Sequence, residues 1–289
     1  MTPPIAPARI LWQVIEPIHA LTYFSPESTA CFGAVGLRGF WRGYFAGRAA
    51  PLGAASADAV AATFFGFHPA FVERAIPGVW ALAAPDVAIA ARIAGVTEAL
   101  TRLFPTPGDS VALGVAAELA REALDGVEAP RRPLFAANAS LPWPDAPAAQ
   151  VWHATTLLRE HRGDGHVRAL IAAGFDPCES HITQVASART SLDHVKPYRG
   201  WEEHDWTAAR RRLRNRGLLD TRGRLTAAGA HARASVEAET DRLASAPLER
   251  IGADRTARLI EAFGPLAERV VLTGSIPYPN AMGVPRPLG

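Results

Sequence analysis

One segment near the C-terminus constrains the fold more than any other part of the sequence. In "WEEHDWTAARRRLRNRGLL", Trp206, Ala209 and Leu213 recur at helical spacing, acidic residues stand at the N-terminal end, and Gly217 occupies a C-cap position. The short polar turn "DTRGRL" follows, and a long helix begins at about Gly229. A helix, a tight turn, a short strand and a long helix in this order predict a winged helix-turn-helix with a short β-wing.

Proline and glycine divide the rest of the chain. The stretch "EAPRRPLFAANASLPWPDAPAAQ" is typical of a long irregular connector between two mostly helical halves. We therefore expect an N-terminal helical domain over 1–127, a connector over 128–147, a C-terminal winged helix-turn-helix domain over 148–273 and a tail over 274–289. Prolines recur too often in the tail for a helix, so the tail is expected to lie across the surface.

The two halves share short patterns. "ILWQVIEPIHAL" opens the first half and "QVWHATTLLREH" the second, and "RGFWRGYFAGR" in the first is similar to "RGWEEHDWTAAR" in the second. The predicted fold class is therefore mainly α, with two helical winged-helix-like halves that are consistent with a tandem duplication. The short β-wing is expected in the C-terminal half only.

A family resemblance rests on these motifs. "RRLRNRGLLDTRGRLTAAG" resembles the MarR-like winged-helix proteins, and together with "EPIHALTYF", "RAAPLG" and "LLREHRGDGHVRAL" the chain is similar to actinobacterial helix-turn-helix proteins of unsettled function. The resemblance covers nearly the full length and implies a fold more firmly than an activity. Because one chain carries two halves, the protein is expected to be a monomer that imitates a dimer, or a homodimer. In this it departs from a simple repressor, in which two identical subunits bind a two-fold symmetric operator.

The helix and turn of the C-terminal segment carry the residues that could contact DNA. Arginine holds phosphate groups or guanine edges bidentately, and a helix in the major groove exposes one face for this. The candidates for nucleic-acid binding are Arg211, Arg212, Arg214, Arg222 and Arg224. The alternative is a solvated helix, since the acidic residues at its start repel phosphate and the net charge of the chain is only +2.

Composition excludes several classes. A chain of 289 residues with 48% hydrophobic and 20% charged residues is typical of a soluble globular protein, and its small net charge argues against one that coats nucleic acid. Cys31 and Cys178 fit neither a zinc finger nor a disulfide framework. Neither a leader peptide nor a stretch of roughly 20 apolar residues is found, so we expect a cytoplasmic protein that does not span a membrane.

Two segments carry candidate acid–base residues. Glu16 and His19 share a helix face at the spacing used in di-iron bundles, but the second such step is missing, and a hydrogen-bonded core pair is the more common alternative. In "EHRGDGH", two glycines predict a local helix break that lets Asp164 orient His166, whereas an ion-pair ladder is the alternative for Glu160 and Asp164. The catalytic candidates are His166, Asp164, Glu160, Glu16 and His19.

A small-molecule site is predicted from histidines among aromatic residues. "FFGFHPAF" places His68 among phenylalanines, and such a cluster is more often core, but as a cavity it suits a flat apolar ligand with a polar group. The ligand-binding candidates are His19, Tyr23, Trp41, His68, Arg162 and His166. Neither a nucleotide-binding motif nor a strong metal signature is present, so we predict no cofactor and assign no metal ligands.

Two hypotheses for function follow. The first is a DNA-binding transcriptional regulator that responds to a small aromatic or anionic ligand bound between the halves, with double-stranded DNA as its possible partner. The second is an enzyme on the same scaffold that uses the acid–base candidates, with metal assistance left open, on a small aromatic or anionic substrate.

Overall fold

The computed structural model describes residues 5–187, 191–280 and 282–287. Positions 1–4 and 288–289, the ends of the predicted N-terminal domain and tail, lie outside the described residues, as does position 281. The helices run α1 Pro7–Phe24, α2 Pro26–Ala34, α3 Phe40–Ala49, α4 Ala57–Phe64, α5 Pro69–Glu73, α6 Pro85–Leu103, α7 Pro107–Leu124, α8 Pro133–Ala139, α9 Pro147–Ala172, α10 Pro177–Ala186, α11 Leu192–Val195, α12 Glu203–Asn215, α13 Ala227–Leu243 and α14 Ala246–Leu272.

Proline sets where many of these helices begin. Eight of them, α1, α2 and α5 to α10, start with a proline at the first helical position. Proline is tolerated there because the first amide groups of a helix have no intrahelical acceptor, and its φ angle already suits the helix. The proline-rich composition that divides the sequence is thus the composition that starts its helices.

The apolar residues form two cores that share α9. The larger core takes residues from α1 to α8, the N-terminal part of α9, α14 and the tail. The smaller core takes Ala169 and Leu170 from the C-terminal part of α9, together with residues of α10, α12 and α13. Helix α9 therefore contributes to both cores and connects them. The domain boundaries expected from the sequence stay a prediction.

The predicted β-wing is wrong. No β-strand occurs in residues 5–187, 191–280 and 282–287, and the would-be wing is a tight turn closed by one antiparallel bridge between Leu219 and Leu225. The Asp220 carboxylate accepts hydrogen bonds from the amides of Arg222 and Arg224, at 2.8 and 2.9 Å, which holds the turn closed. Helix α12 ends at Asn215 and α13 starts at Ala227, and the residues between them form this one bridge and no ladder. The mainly helical class is correct, but the label of two winged-helix-like halves is not.

The predicted helix break at Gly163 and Gly165 is also wrong. Helix α9 runs without interruption through both glycines. A Cβ on Gly165 would lie 3.1 Å from Arg132 Nη1 and 3.2 Å from Leu243 Cβ, so this glycine allows the end of α13 and the Arg132 side chain to pack closely on α9. Gly165, which in the sequence suggests a flexible break, is thus a position of close helix packing.

None of the described helices is long and apolar enough by itself to cross a membrane. One sharply bent pair, Pro69–Ala81 with Pro85–Leu103, reaches the required length and composition when its two parts are taken together.

The "LTAAG" motif has a direct structural explanation. The Thr226 hydroxyl donates to the Gly217 carbonyl at 2.6 Å and accepts from the Gly229 amide at 3.1 Å, so Thr226 caps α13. A Cβ on Gly229 would lie only 2.0 Å from the Leu218 carbonyl oxygen. Only glycine permits α13 to start this close to the chain that leaves α12.

We predict that Gly229→Ala lowers the free energy of unfolding by about 1–3 kcal/mol or more, because the added methyl group forces the backbone of the turn away from α13. Gly114→Ala in α7 is the matched control, since its added Cβ meets no atom within 4 Å and alanine favours helix by up to about 1 kcal/mol. Urea unfolding followed by circular dichroism measures both variants. Equal stability of the two variants would contradict the close approach at Gly229.

Candidate functional site

A cavity of about 790 Å³ lies where α1, α3, α9, α10, α13 and the tail meet. Its walls combine charged side chains with aromatic rings, and both cores contribute to them. The charged residues and histidines in the lining are Glu16, Arg48, Arg159, Arg162, His166, His181, Arg199, Arg233, Glu237 and Arg286. A volume of this size suits a small-molecule ligand.

Glu160 organises the charges on the α3 side of the cavity. Its carboxylate accepts two bonds from Arg48, each at 3.2 Å, and one from Arg159 Nη1 at 2.7 Å. Arg159 Nε also donates to the Glu16 carboxylate at 3.3 Å, and the Trp12 indole donates to the same carboxylate at 3.1 Å. Burial opposes the charged form of Glu160, but Arg48 and Arg159 hold the pKa of this carboxyl well below its ordinary value.

A second ion network lies on the α13 side. Arg162 Nη2 lies 2.8 Å from an oxygen of Asp241, and Arg9 lies 2.6 Å from the other. Arg9 also pairs with Glu237 at 3.2 Å, and Glu237 pairs with Arg233 at 2.5 Å. These contacts join α1, α9 and α13. Burial lowers the pKa of Arg162, and its Nη1 has no hydrogen-bond partner among the described residues.

His19 and Tyr23 lie behind the cavity and do not line it. The His19 ring is hydrogen-bonded to Thr156 and to the Tyr23 hydroxyl, each at 3.1 Å, and it stacks on Trp152. Burial lowers the pKa of His19 well below its ordinary value, so the ring is neutral. The void beside these residues measures about 10 Å³, which is at most the space of one water molecule.

Asp164 and His166 bind different elements. The Asp164 carboxylate accepts from the Phe135 amide at 3.0 Å and so caps the start of α8. His166 Nδ1 lies 2.9 Å from the Thr240 hydroxyl of α13, and the ring lines the cavity. Asp164 and His166 stand two positions apart on this unbroken helix, so their side chains project in nearly opposite directions, which does not favour the expected orienting contact.

Trp41 and His68 are placed in the aromatic core. Trp41 packs edge to face on Phe71, with ring centroids 4.8 Å apart. His68 Nδ1 accepts from the Ala70 amide at 3.2 Å and caps α5, while its ring meets Trp201. Of the six residues predicted to bind a ligand, Arg162 and His166 line the cavity, and the other four lie outside its lining.

The five arginines predicted to bind DNA are all exposed, but they differ in their contacts. Arg212 pairs with Asp176 at 2.5 Å and with Glu179 at 3.2 Å. Arg214 donates to carbonyl groups of the turn, and Arg224 pairs with Asp220 at 3.0 Å. Within the described part of the chain, the guanidinium groups of Arg211 and Arg222 have no recorded partner. These two are therefore available to an outside partner.

Several cavity residues were not identified from the sequence. Arg48 and Arg199 come from segments outside α9. His181 Nε2 donates to the Gly66 carbonyl at 2.7 Å, and burial lowers the pKa of His181 to about 3. One usable signal is the i, i+4 pair Arg233 and Glu237, whose charges interrupt an otherwise alanine-rich helix.

The tail also contributes to the cavity. The Asn280 side-chain oxygen accepts from the amides of Met282 and Val284, at 3.1 and 3.2 Å, and the Tyr278 hydroxyl donates to the Pro285 carbonyl. These bonds brace the tail as a folded loop whose residues line one wall. Across the described ranges, no three His, Cys, Asp or Glu side chains come together as metal ligands would.

Comparison with known proteins gives one result. A family model described as "Helix-turn-helix family" matches residues 8–277. No curated protein and no solved structure matches the chain significantly. The match spans both cores, and helix-turn-helix families in general indicate DNA-binding regulators.

Asp164, which lies on α9 behind the cavity, provides a test of the buried charges of this helix through pH. Burial raises the pKa of Asp164 to about 6, above its ordinary value. Between about pH 4 and 6 the carboxyl is therefore ionised in the unfolded chain but still protonated in the folded protein, and the free energy of unfolding falls as pH rises through this range. Asp164→Asn keeps an acceptor for the Phe135 amide without a charge. We predict that it raises the free energy of unfolding by up to about 2 kcal/mol at pH 7 and by little at pH 4.

The matched control is Asp164→Ala, which removes the acceptor and should destabilise the fold at both pH values. Urea unfolding at pH 4 and pH 7 measures all three proteins. An Asn variant that is less stable than the parent at pH 7 would show that the carboxylate is favourable where it lies.

Proposed function

The chain belongs to the helix-turn-helix family, and from that premise we propose that it is a transcription regulator whose DNA affinity responds to a small molecule in the cavity. The finer resemblance to MarR-like proteins, which rests on the order α12, turn and α13, belongs to this proposal. So does a cytoplasmic location, where such a regulator meets DNA.

Helix α13 is the observation that carries the proposal. Its first turn packs against the backbone of Leu218 and the turn that closes at Asp220. Further along the same helix, Glu237 and Thr240 line the cavity. A ligand that contacts the middle of α13 therefore acts on the element that supports the DNA-facing turn, which is the physical connection that a ligand response requires.

The exposed face of α12 supports DNA contact through phosphate groups. Trp206, Ala209 and Leu213 bury one face of the helix, and Arg211 lies exposed on the opposite face. The acids at its N-terminal end have a structural role, since Asp205 accepts from the Glu202 amide at 2.9 Å in a capping box. Negative charge near the start of α12 disfavours its insertion into the major groove, so we expect the helix to contact mainly the phosphate groups of the DNA.

The enzyme alternative receives less support from the geometry. Glu16 and His166 line the cavity, Glu160 lies behind its arginine partners, and His19 and Asp164 lie outside the lining. An acid–base mechanism needs these groups around one reacting atom. Their dispersal favours a binding function over a catalytic one.

The DNA-binding step is tested with the two arginines that have no recorded partner. We predict that the double variant Arg211→Ala with Arg222→Ala weakens binding to promoter DNA roughly tenfold and reduces the salt dependence by about two released counterions. Fluorescence anisotropy at several salt concentrations measures both quantities. The control is Arg38→Ala with Arg258→Ala, which removes two exposed arginines elsewhere.

An equal loss of DNA affinity in both double variants would indicate that exposed arginines attract DNA wherever they lie. If the parent protein does not bind DNA even at low salt, the regulator proposal is wrong. Because neither pair bridges to another described side chain, thermal unfolding of both double variants should match the parent, which separates loss of contact from loss of fold.

The ligand response is tested by screening small carboxylates, phosphates and their neutral analogues for a rise in Tm. We predict that a compound that raises Tm also changes DNA affinity several-fold, because binding and DNA contact are linked through α13. Anisotropy titration with and without the compound measures the change. A compound that raises the Tm of the parent protein but not that of an Arg162→Gln variant binds in the cavity. If such a compound leaves DNA affinity unchanged, the proposed ligand response is wrong.

A further inference from the structure

The segment that follows α4 lies between the cavity and the chain that enters α12. Helix α4 ends at Phe64, and residues 64–67 all line the cavity. Phe65 also packs on the smaller core, to which α10, α12 and α13 contribute. The 64–67 segment therefore borders the cavity on one side and the helix-turn-helix elements on the other.

The backbone of this segment is strained at Phe65. Phe65 has φ 59° and ψ −55°, and the Gly66 amide donates to the Phe64 carbonyl at 2.6 Å. These values describe the rarer and more strained of the two kinds of γ-turn. A bulky side chain holds a positive φ only where surrounding contacts enforce it. The conformation of the turn therefore depends on the contacts that the segment makes on both of its sides.

Two side chains of the helix-turn-helix part bind the turn through one carbonyl group. His181 Nε2 of α10 donates to the Gly66 carbonyl at 2.7 Å, and Trp201 Nε1 donates to the same oxygen at 3.1 Å. A Cβ on Gly66 would lie 3.1 Å from His181 Nε2, so glycine gives the histidine close access to this oxygen. The carbonyl that follows the strained residue is thus held from the side of α10 and α12.

From Trp201 the contacts continue into α12. The indole of Trp206, which is buried in the first part of α12, donates to the Trp201 carbonyl at 2.9 Å. The neighbouring Gly200 has φ 75°, and a Cβ there would overlap the side chain of Phe71. Only glycine permits the chain before α12 to lie this close to α5. Two indole hydrogen bonds therefore lead from the cavity wall to the helix that is proposed to contact DNA.

We propose that the γ-turn at Phe65 is the switch through which a ligand in the cavity acts on α12. A ligand that displaces the 64–67 segment moves the Gly66 carbonyl, and the bonds of Trp201 and Trp206 carry this change to α12. A strained turn that is held from two sides responds to a change on either side. This inference rests on the proposed ligand response and adds its route, which reaches α12 at its start.

The test follows the indole N–H signals of the isotope-labelled full-length protein by NMR during a titration with 8-anilino-1-naphthalenesulfonate, a dye with a flat apolar body. Trp12 lines the cavity and reports binding. Trp206 lies outside the lining and reports transmission. Trp80, which donates to the Ala55 carbonyl, is the reference. We expect the signals of Trp12 and Trp206 to shift along one titration curve while the signal of Trp80 stays fixed.

Two variants interrupt the route at different points. Phe65→Ala removes the ring that packs on the smaller core, and Trp201→Phe removes the indole donor to the turn. Each should reduce the Trp206 shift by roughly threefold or more and leave the Trp12 shift unchanged. Trp80→Phe is the matched control for the second variant, since it also removes an indole bond to a backbone carbonyl, and it should leave the Trp206 shift unchanged.

The outcomes separate the switch from the ligand site. A Trp206 signal that stays fixed in the parent protein while Trp12 shifts overturns the switch, and the cavity remains a ligand site. A Trp206 signal that shifts fully in Trp201→Phe overturns the switch as well. If Phe65→Ala fails to fold, Trp201→Phe decides, since it keeps an aromatic ring in place. If the Trp12 signal also stays fixed in the parent protein, the ligand-responsive function fails together with the switch.

Discussion

The buried carboxylate of Glu160 is the contact on which the arrangement around the cavity depends. Helix α9 is covered along much of its length, and its charged residues must therefore find partners inside the protein. Glu160 obtains two arginines, one from α3 and one from its own helix. Loss of this carboxylate would leave two guanidinium groups without compensation, which is costly in a buried site. The pair of Arg48 and Glu160 therefore joins α3 to α9 beside the cavity that Arg48 lines.

Arginine is suited to this role in a way that lysine is not. The guanidinium stays charged when it is buried and bonds a carboxylate through two nitrogens, as Arg48 does with Glu160. An ammonium group in the same place would tend to lose its proton. The sequence has a single lysine, Lys196, and that residue pairs with Glu203 on the surface.

The sequence predicts local structure well and long-range pairing poorly. The burial of Trp206, Ala209 and Leu213 and the left-handed Gly217 after α12 follow from helical periodicity and capping. The prediction of a wing from the same segment is wrong, because the order of motifs does not show whether the residues between α12 and α13 pair as strands. Glu16 and Glu160 meet only through Arg159, and Arg48 comes from more than a hundred residues away. No periodicity in one sequence can report such a contact.

The two glycines of α9 show why a residue pattern has more than one structural cause. Glycine inside a helix indicates either a break or a close neighbour, and only the tertiary structure distinguishes them. At Gly165 the neighbours are Arg132 and Leu243, which belong to the connector before α8 and to the end of α13. The Arg132 guanidinium donates to the carbonyls of both His161 and Leu243, so it joins α9 to α13 at this point. The end of α13 is thus fixed on α9, while its start supports the turn beside α12. In the proposed function, a ligand that binds between these two points would contact the middle of a helix whose end is held on α9 and whose start supports the turn beside α12.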